Sequence, residues 1–370
     1  MPLNSTEAAG AQKPRLWLNL LLSLVVMLVV LLLIEGFSSL LMAVRSARHD
    51  LYMREEAHAQ YDPDLGWRHK PSARIEQMYG PEAPFTTNAA GFRAQEEYSP
   101  AVPQGRYRVI ALGDSFTMGF GVGDATSYPA QMQSACAPLQ TINMGQGGYG
   151  VDQNYLWYKR DGVAYDANVL LVAAIAMDFY RMGSDNFIGY PKPVLALDQG
   201  KLLVKNVPVP PAWHNRTTLR RLRTFADSMA SVRLGKAVIF GSAAPAPQQF
   251  YGTVNDELLA TAGMAFDDLV ALSKPKRQQV VLVYLPVKEL LPSEPTREAS
   301  WMKAYAARAQ IPFIDLTPEF KALSPARLAA MYRVDNHYSD EGNQLVARAL
   351  LSELGQQVAG FPKCPAVPKP

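Results

Sequence analysis

Cysteine and histidine are scarce in this sequence of 370 residues, numbering two and five. Cys136 and Cys364 stand alone, with no CxxC pair and no Cys/His cluster, which excludes a structural zinc site or a redox dithiol of the usual spacing. Two outcomes stay open for them: a disulfide, which needs an oxidising compartment, or two thiols, one buried and one in the tail. A charge imbalance is lacking too. Lys plus Arg total 36 against 33 Asp plus Glu, scattered along the chain, and this leaves no electrostatic footprint for nucleic acid. A neutral or modestly charged substrate fits better. The sequence shows no internal repeat and calls for no cofactor or metal, and its length suits one large domain or two modest ones.

What is present begins with an apolar run. Residues 16–34 carry no formal charge and are mostly Leu and Val, close to the length of a bilayer-crossing helix. No small-x-small cleavage site follows, so residues 16–44 read as an uncleaved signal-anchor and residues 1–15 as a tail. Lys13, Arg15 and the amino terminus balance Arg45, Arg48 and Arg54, so the positive-inside rule does not orient the span.

Residues 45–104 read as a stalk and entry segment. They include Asp62-Pro-Asp-Leu-Gly-Trp-Arg and Asn88-Ala-Ala-Gly-Phe-Arg, rich in turn formers and aromatics. A folded domain is expected over 105–360, with a tail at 361–370. Its apolar strand candidates are Arg108 to Leu112, Thr141 to Met144, Asn168 to Ile175, Gln279 to Leu285 and Pro312 to Asp315. Helical stretches separate them, the pattern of a doubly wound parallel α/β sheet. An insertion of about residues 185–255 falls between strands three and four. It holds a candidate hairpin from Pro193 to Lys205 and a basic helical stretch with Arg220, Arg221, Arg223, Arg233 and Lys236, read as a solvated face.

The chemistry concentrates at two places. Val109-Ile-Ala-Leu-Gly-Asp114-Ser115-Phe-Thr-Met-Gly119 sets a serine just past an apolar strand, where open α/β sheets bind ligands. A serine there needs a base and a group to orient that base. His49, His58 and His69 lie in the stalk and entry segment, and His214 lies in the insertion beside Trp213. His337 follows the last strand, two residues after Asp335, a spacing that can set imidazole beside carboxylate. Ser115, His337 and Asp335 are therefore the candidate triad.

These segments resemble the sequence blocks of the SGNH (GDSL-like) hydrolase superfamily, over roughly residues 105 to 360 without the insertion. The two upstream motifs resemble the segment that precedes the domain in membrane-anchored bacterial members. The resemblance implies a flavodoxin-like sheet of five parallel strands and a serine-dependent esterase or O-acyltransferase. It further implies an ester substrate, an O-acetyl group of an envelope glycan or glycolipid, and a periplasmic domain on a single-pass inner-membrane anchor. Envelope polysaccharide machinery is the implied partner. Asn143-Met-Gly-Gln-Gly-Gly148 resembles the second block, which implies that Gly148 gives a backbone N–H to the oxyanion hole together with Ser115. In the third block the sequence reads Ala176-Met177-Asp178, so a thioether stands where the family has the oxyanion asparagine, and a thioether donates no hydrogen bond. Asn154 and Arg181 are the candidate substitutes; Asp114, Met177 and Asp178 lie near the site, with a structural role or none assigned.

Two other readings compete. An SGNH-fold scaffold of an envelope polysaccharide assembly would follow if Met177 marks an eroded site. Gly145, Gly147 and Gly150 also satisfy GxGxxG, the dinucleotide fingerprint, but the acidic residue ending the next strand, Asp178, lies beyond the expected 20 or so residues. Asn255-Asp256 reads as a helix N-cap.

Overall fold

A computed structural model describes residues 16–47, 58–211, 231 and 254–365. The basic stretch around Arg220–Lys236, apart from Ser231, and His49, Trp213 and His214 lie outside the described residues. The chain divides into two compact units, residues 1–52 with 216–244, and residues 53–215 with 245–370.

In the first unit a helix runs Leu16–Ala47. Its stretch Asn19–Leu40 has mean hydropathy 2.9 and is exposed along nearly all its length, and this is the one helix among the described residues long and apolar enough to cross a membrane. Its one carboxylate, Glu35, accepts two hydrogen bonds from Ser231, from the hydroxyl at 2.5 Å and the backbone N–H at 3.0 Å.

The second unit opens with two antiparallel pairs, β1 (Ala59–Asp62) with β2 (Gly66–His69) and β3 (Arg74–Ile75) with β4 (Phe85–Thr86). Next come β5 (Tyr107–Gly113), β6 (Leu139–Gly145) and β7 (Val169–Ala174). They are followed by two small hairpins, β8 (Asn186–Phe187) with β9 (Tyr190–Pro191) and β10 (Val194–Asp198) with β11 (Lys201–Lys205). β12 (Gln279–Tyr284) and β13 (Phe313–Asp315) complete a five-stranded sheet in the order β13-β12-β7-β5-β6, with every pairing parallel. Counted along the chain this is the flavodoxin-like order 2-1-3-4-5, and its direction reverses between β5 and β7.

Strand periodicity builds the core. Ile110, Leu112, Leu170, Val172, Val280 and Leu282 face one layer, and Val109, Ala111, Val169, Leu171, Val281 and Val283 face the other. Successive residues point to opposite faces and both faces are covered by helices, so these strands are apolar throughout. The helices Val151–Arg160, Asp256–Ser273 and Arg297–Ala309 supply the first layer, and Tyr128–Ala135 and Asp340–Gln357 the second. Asn255 caps its helix through a 2.9 Å bond from the Leu258 N–H.

Residues 58–98 are folded against this domain. His58 and His69 are both buried with their rings 5.5 Å apart, and Phe85 and Phe92 are fully buried. Desolvation first, then the neighbouring His58, holds the His69 imidazole well below its ordinary pKa, which keeps it neutral.

Cys136 and Cys364 form a disulfide, which resolves the alternative left open above and ties residues 361–365 to the Tyr128–Ala135 helix. It closes a separation of 228 residues. The chain-entropy relation gives such a cross-link about 5 kcal/mol. Cys136→Ser in the full-length chain is therefore expected to lower the unfolding free energy by up to that amount in denaturant titrations. An unchanged midpoint, in the variant or under reductant, would refute the bridge.

Candidate active site

Ser115 begins the short helix Ser115–Met118 directly after β5 and Gly113-Asp114. Asp114 is its N-cap, and Asp114 Oδ1 accepts the Phe116 N–H at 2.9 Å. The same carboxylate is fixed from below. Arg181, at the end of the helix Ala176–Arg181 that follows β7, donates Nη1–H bonds to Asp114 Oδ2 at 2.9 Å, to Asp178 Oδ1 at 2.6 Å and to the Tyr149 carbonyl at 2.9 Å. Burial first, and the Asp114 charge second, push the Asp178 carboxyl well above its ordinary pKa, while Arg181 pulls the other way. Asp178 is therefore favoured in its neutral form. The pair beneath the serine therefore acts as a support for the turn.

His337 arrives from the other end of the domain. Its Nε2 is 2.8 Å from Ser115 Oγ, a hydrogen bond spanning 222 residues of sequence. With the Nδ1–H tautomer, the serine hydroxyl is the donor. The ring lies between Phe116 and Phe120, with centroids at 4.9 and 4.6 Å. Nδ1 is buried without a hydrogen bond, and Asp335 Oδ1 faces it at 3.6 Å, slightly beyond bonding length. Asp335 Oδ1 also accepts the backbone N–H of His337 at 3.2 Å. Burial raises the Asp335 carboxyl, but His337 and Arg333 outweigh it and hold the pKa below the ordinary value, so the group stays ionised. Tyr332 and Tyr338 both donate to the Pro286 carbonyl, at 3.1 and 2.8 Å, and pin this loop to the end of β12. Gly342 lets the following helix close on the loop, since a Cβ there would lie 2.1 Å from the Met331 carbonyl oxygen.

The turn after β6 starts against the Ser115 helix: Gln146 N–H donates to the Gly113 carbonyl at 3.0 Å, and a Cβ on Gly145 would lie 2.1 Å from Met118 N. Gly148 has φ +77°. Neither its N–H nor that of Ser115 is taken by another acceptor among the described residues. Met177 is half-buried and packs into the apolar layer with Val109 and Leu171, so it supplies no donor. Of the two candidate substitutes, Arg181 directs Nη1 to Asp114, Asp178 and Tyr149, not to Ser115. Asn154 is buried on the helix Val151–Arg160, with no bond to Ser115 or Gly148 among the described residues. In the GxGxxG segment the Phe187 ring lies against the Cα of Gly148 and the Trp67 indole donates to the Gly147 carbonyl. Among the described residues no group of three or more His, Cys, Asp or Glu side chains could hold a metal ion.

Two upstream residues went unassigned in the sequence. The buried Arg93 guanidinium donates to the carbonyls of Met118, Gly119 and Val122 at 2.8, 2.6 and 2.7 Å, satisfying the open end of the Ser115 helix. Trp67 Nε1 donates to the Gly147 carbonyl at 2.9 Å. Both belong to the two entry-segment motifs, and that membership was the only signal for them.

No protein-family model and no curated protein matches this chain. Solved structures similar to it include a member of the lipolytic protein G-D-S-L family from Veillonella parvula, with 13% identity over 68% of this chain and 99% of that one, and a TM-score of 0.38. The lipase/acylhydrolase from Enterococcus faecalis has 11% identity over 68% and 96%, with a TM-score of 0.39. A catalytic mutant of an acetylxylan esterase from Geobacillus stearothermophilus has 17% identity over 67% and 94%, with a TM-score of 0.39.

Proposed function

We propose that the chain is a membrane-anchored serine esterase or O-acyltransferase in which Ser115 is the nucleophile, His337 the general base and acid, and Asp335 the group that orients His337. The observation that carries this reading is the 2.8 Å bond between His337 Nε2 and Ser115 Oγ, at the carboxyl end of β5 where the sheet order reverses. In the first half-reaction His337 takes the hydroxyl proton as Oγ attacks an ester carbonyl. The oxyanion is met by the N–H groups of Ser115 and Gly148, and collapse expels the alcohol with the proton from His337. In the second half, His337 deprotonates water or a sugar hydroxyl as it attacks the acyl carbonyl, and collapse breaks the bond to Ser115 Oγ, which takes the proton back from His337.

An O-acetyl ester of an envelope glycan or glycolipid is the proposed substrate, with the second unit on the periplasmic side of the inner membrane. The apolar helix Leu16–Ala47 supports the anchor, and the Cys136–Cys364 disulfide supports an oxidising compartment. The 2.8 Å His337–Ser115 bond favours slow turnover over loss of function at a site with Met177 in place of an amide, because a non-catalytic scaffold has no use for a histidine aligned on a serine.

The test is labelling of the full-length chain, in detergent, with a fluorophosphonate. The expected result is one adduct, located on Ser115 by mass spectrometry and absent in Ser115→Ala. A folded protein whose Ser115 remains unmodified would overturn the reading.

A further inference from the structure

We infer that Trp67, from the segment ahead of the sheet domain, is a positioning residue that sets the direction of the Gly148 N–H; this rests on the acyl-transfer reading of Ser115. Gly147 and Gly148 share one peptide plane. In a trans peptide the C=O of the first residue and the N–H of the second point in opposite directions. A donor that holds the Gly147 oxygen therefore aims the Gly148 N–H the other way.

Trp67 is that donor. Its indole Nε1–H meets the Gly147 carbonyl at 2.9 Å, and the side chain is buried. A plane between two glycines resists rotation poorly, because neither residue has a side chain to restrict it. The indole is itself held on several sides. Its ring stacks on Phe187 at 6.1 Å and meets the edge of Tyr149 at 5.5 Å, and the Tyr149 hydroxyl donates to the Trp67 carbonyl. Phe187 in turn lies against Gly148. Trp67, Gly147, Gly148, Tyr149 and Phe187 thus form a closed frame around the plane.

Met177 raises the importance of this frame. Where a side-chain amide would share the oxyanion, only backbone N–H groups are in place, and a misaimed Gly148 leaves Ser115 alone. The entry segment is then a working part of the site, which explains why the chain builds it tightly onto the turn.

The experiment compares full-length Trp67→Phe with wild type on p-nitrophenyl acetate. Phenylalanine keeps an aromatic ring in the frame and removes the donor. The expected result is a kcat roughly 10- to 100-fold lower, with KM, the midpoint of the acidic limb of the pH profile and the melting temperature unchanged. Tyr149→Phe, which removes the hydroxyl holding the Trp67 carbonyl and keeps both rings, is expected to show the same split to a smaller degree. Gln153→Leu is the structural control. It breaks the 2.8 Å bond from Gln153 Nε2 to the Leu65 carbonyl in the same segment without touching Gly147, and is expected to lower stability with kcat intact. Wild-type kcat in Trp67→Phe overturns the inference while leaving Ser115 as nucleophile. A kcat that falls in step with melting temperature in both Trp67→Phe and Gln153→Leu also overturns it, in favour of a packing role. Equal turnover by Ser115→Ala and wild type would remove the acyl-transfer reading and this role together.

Discussion

His337→Ala is expected to lower kcat for ester turnover by about 10⁶-fold, or about 8 kcal/mol of transition-state stabilisation. The serine hydroxyl is a weak nucleophile at neutral pH, and the base that faces it in this site is the imidazole 2.8 Å away. Asp114 Oδ2, at 3.4 Å from Ser115 Oγ, cannot take its place. Its charge is already engaged with Arg181 at 2.9 Å, and a proton delivered there would weaken the N-cap that holds the serine. The companion change, Asp335→Asn, is expected to cost about 10⁴-fold, since an amide can stabilise the wrong imidazole tautomer. The 3.6 Å gap between His337 Nδ1 and Asp335 Oδ1 is consistent with a bond that tightens once substrate is bound. Steady-state kinetics on p-nitrophenyl acetate measures both. A His337→Ala enzyme within tenfold of wild type would mean that another base serves Ser115.

The sheet was legible in the sequence, and so were the two ends of the proposed triad, because their signals are local. The strands β5, β7 and β12 are short apolar runs bounded by turns, Ser115 stands immediately after one of them, and Asp335 and His337 announce themselves by their own two-residue spacing, twenty positions and two short helices past β13. Other parts of the site were not legible. Trp67 meets Gly147 across 80 positions and Arg93 meets Met118 across 25, and no periodicity encodes such pairs. The cysteines lie 228 positions apart, and their number alone left bridge and thiols equally open. Arg181 was a candidate oxyanion donor by type, yet Asp114 and Asp178 capture its guanidinium. Residue type announces what a side chain can do; only the packing decides which neighbour uses it.

Gly148→Ala carries the second large effect, an expected 10²- to 10³-fold loss of kcat with a much smaller change in KM. Two strains act together. An alanine at φ +77° sits in the left-handed region, which costs about 1–2 kcal/mol. Its Cβ would also lie 2.4 and 2.7 Å from Cε1 and Cδ1 of Phe187, well inside contact distance. The half-buried ring stacks on Trp67 at 6.1 Å and lies over the Arg181 guanidinium at 5.1 Å, so its retreat costs these two contacts, and the alternative is a shift of the turn that carries the Gly148 N–H with it. In the proposed site the thioether of Met177 leaves the oxyanion to the backbone donors Ser115 and Gly148, which puts the expected effect at the upper end of the range. Adding Phe187→Ala to Gly148→Ala separates the two strains. Recovery of most of the lost kcat in the double variant assigns the defect to the ring contact, and no recovery assigns it to the backbone conformation. A Gly148→Ala enzyme with wild-type kcat would show that the oxyanion is bound elsewhere.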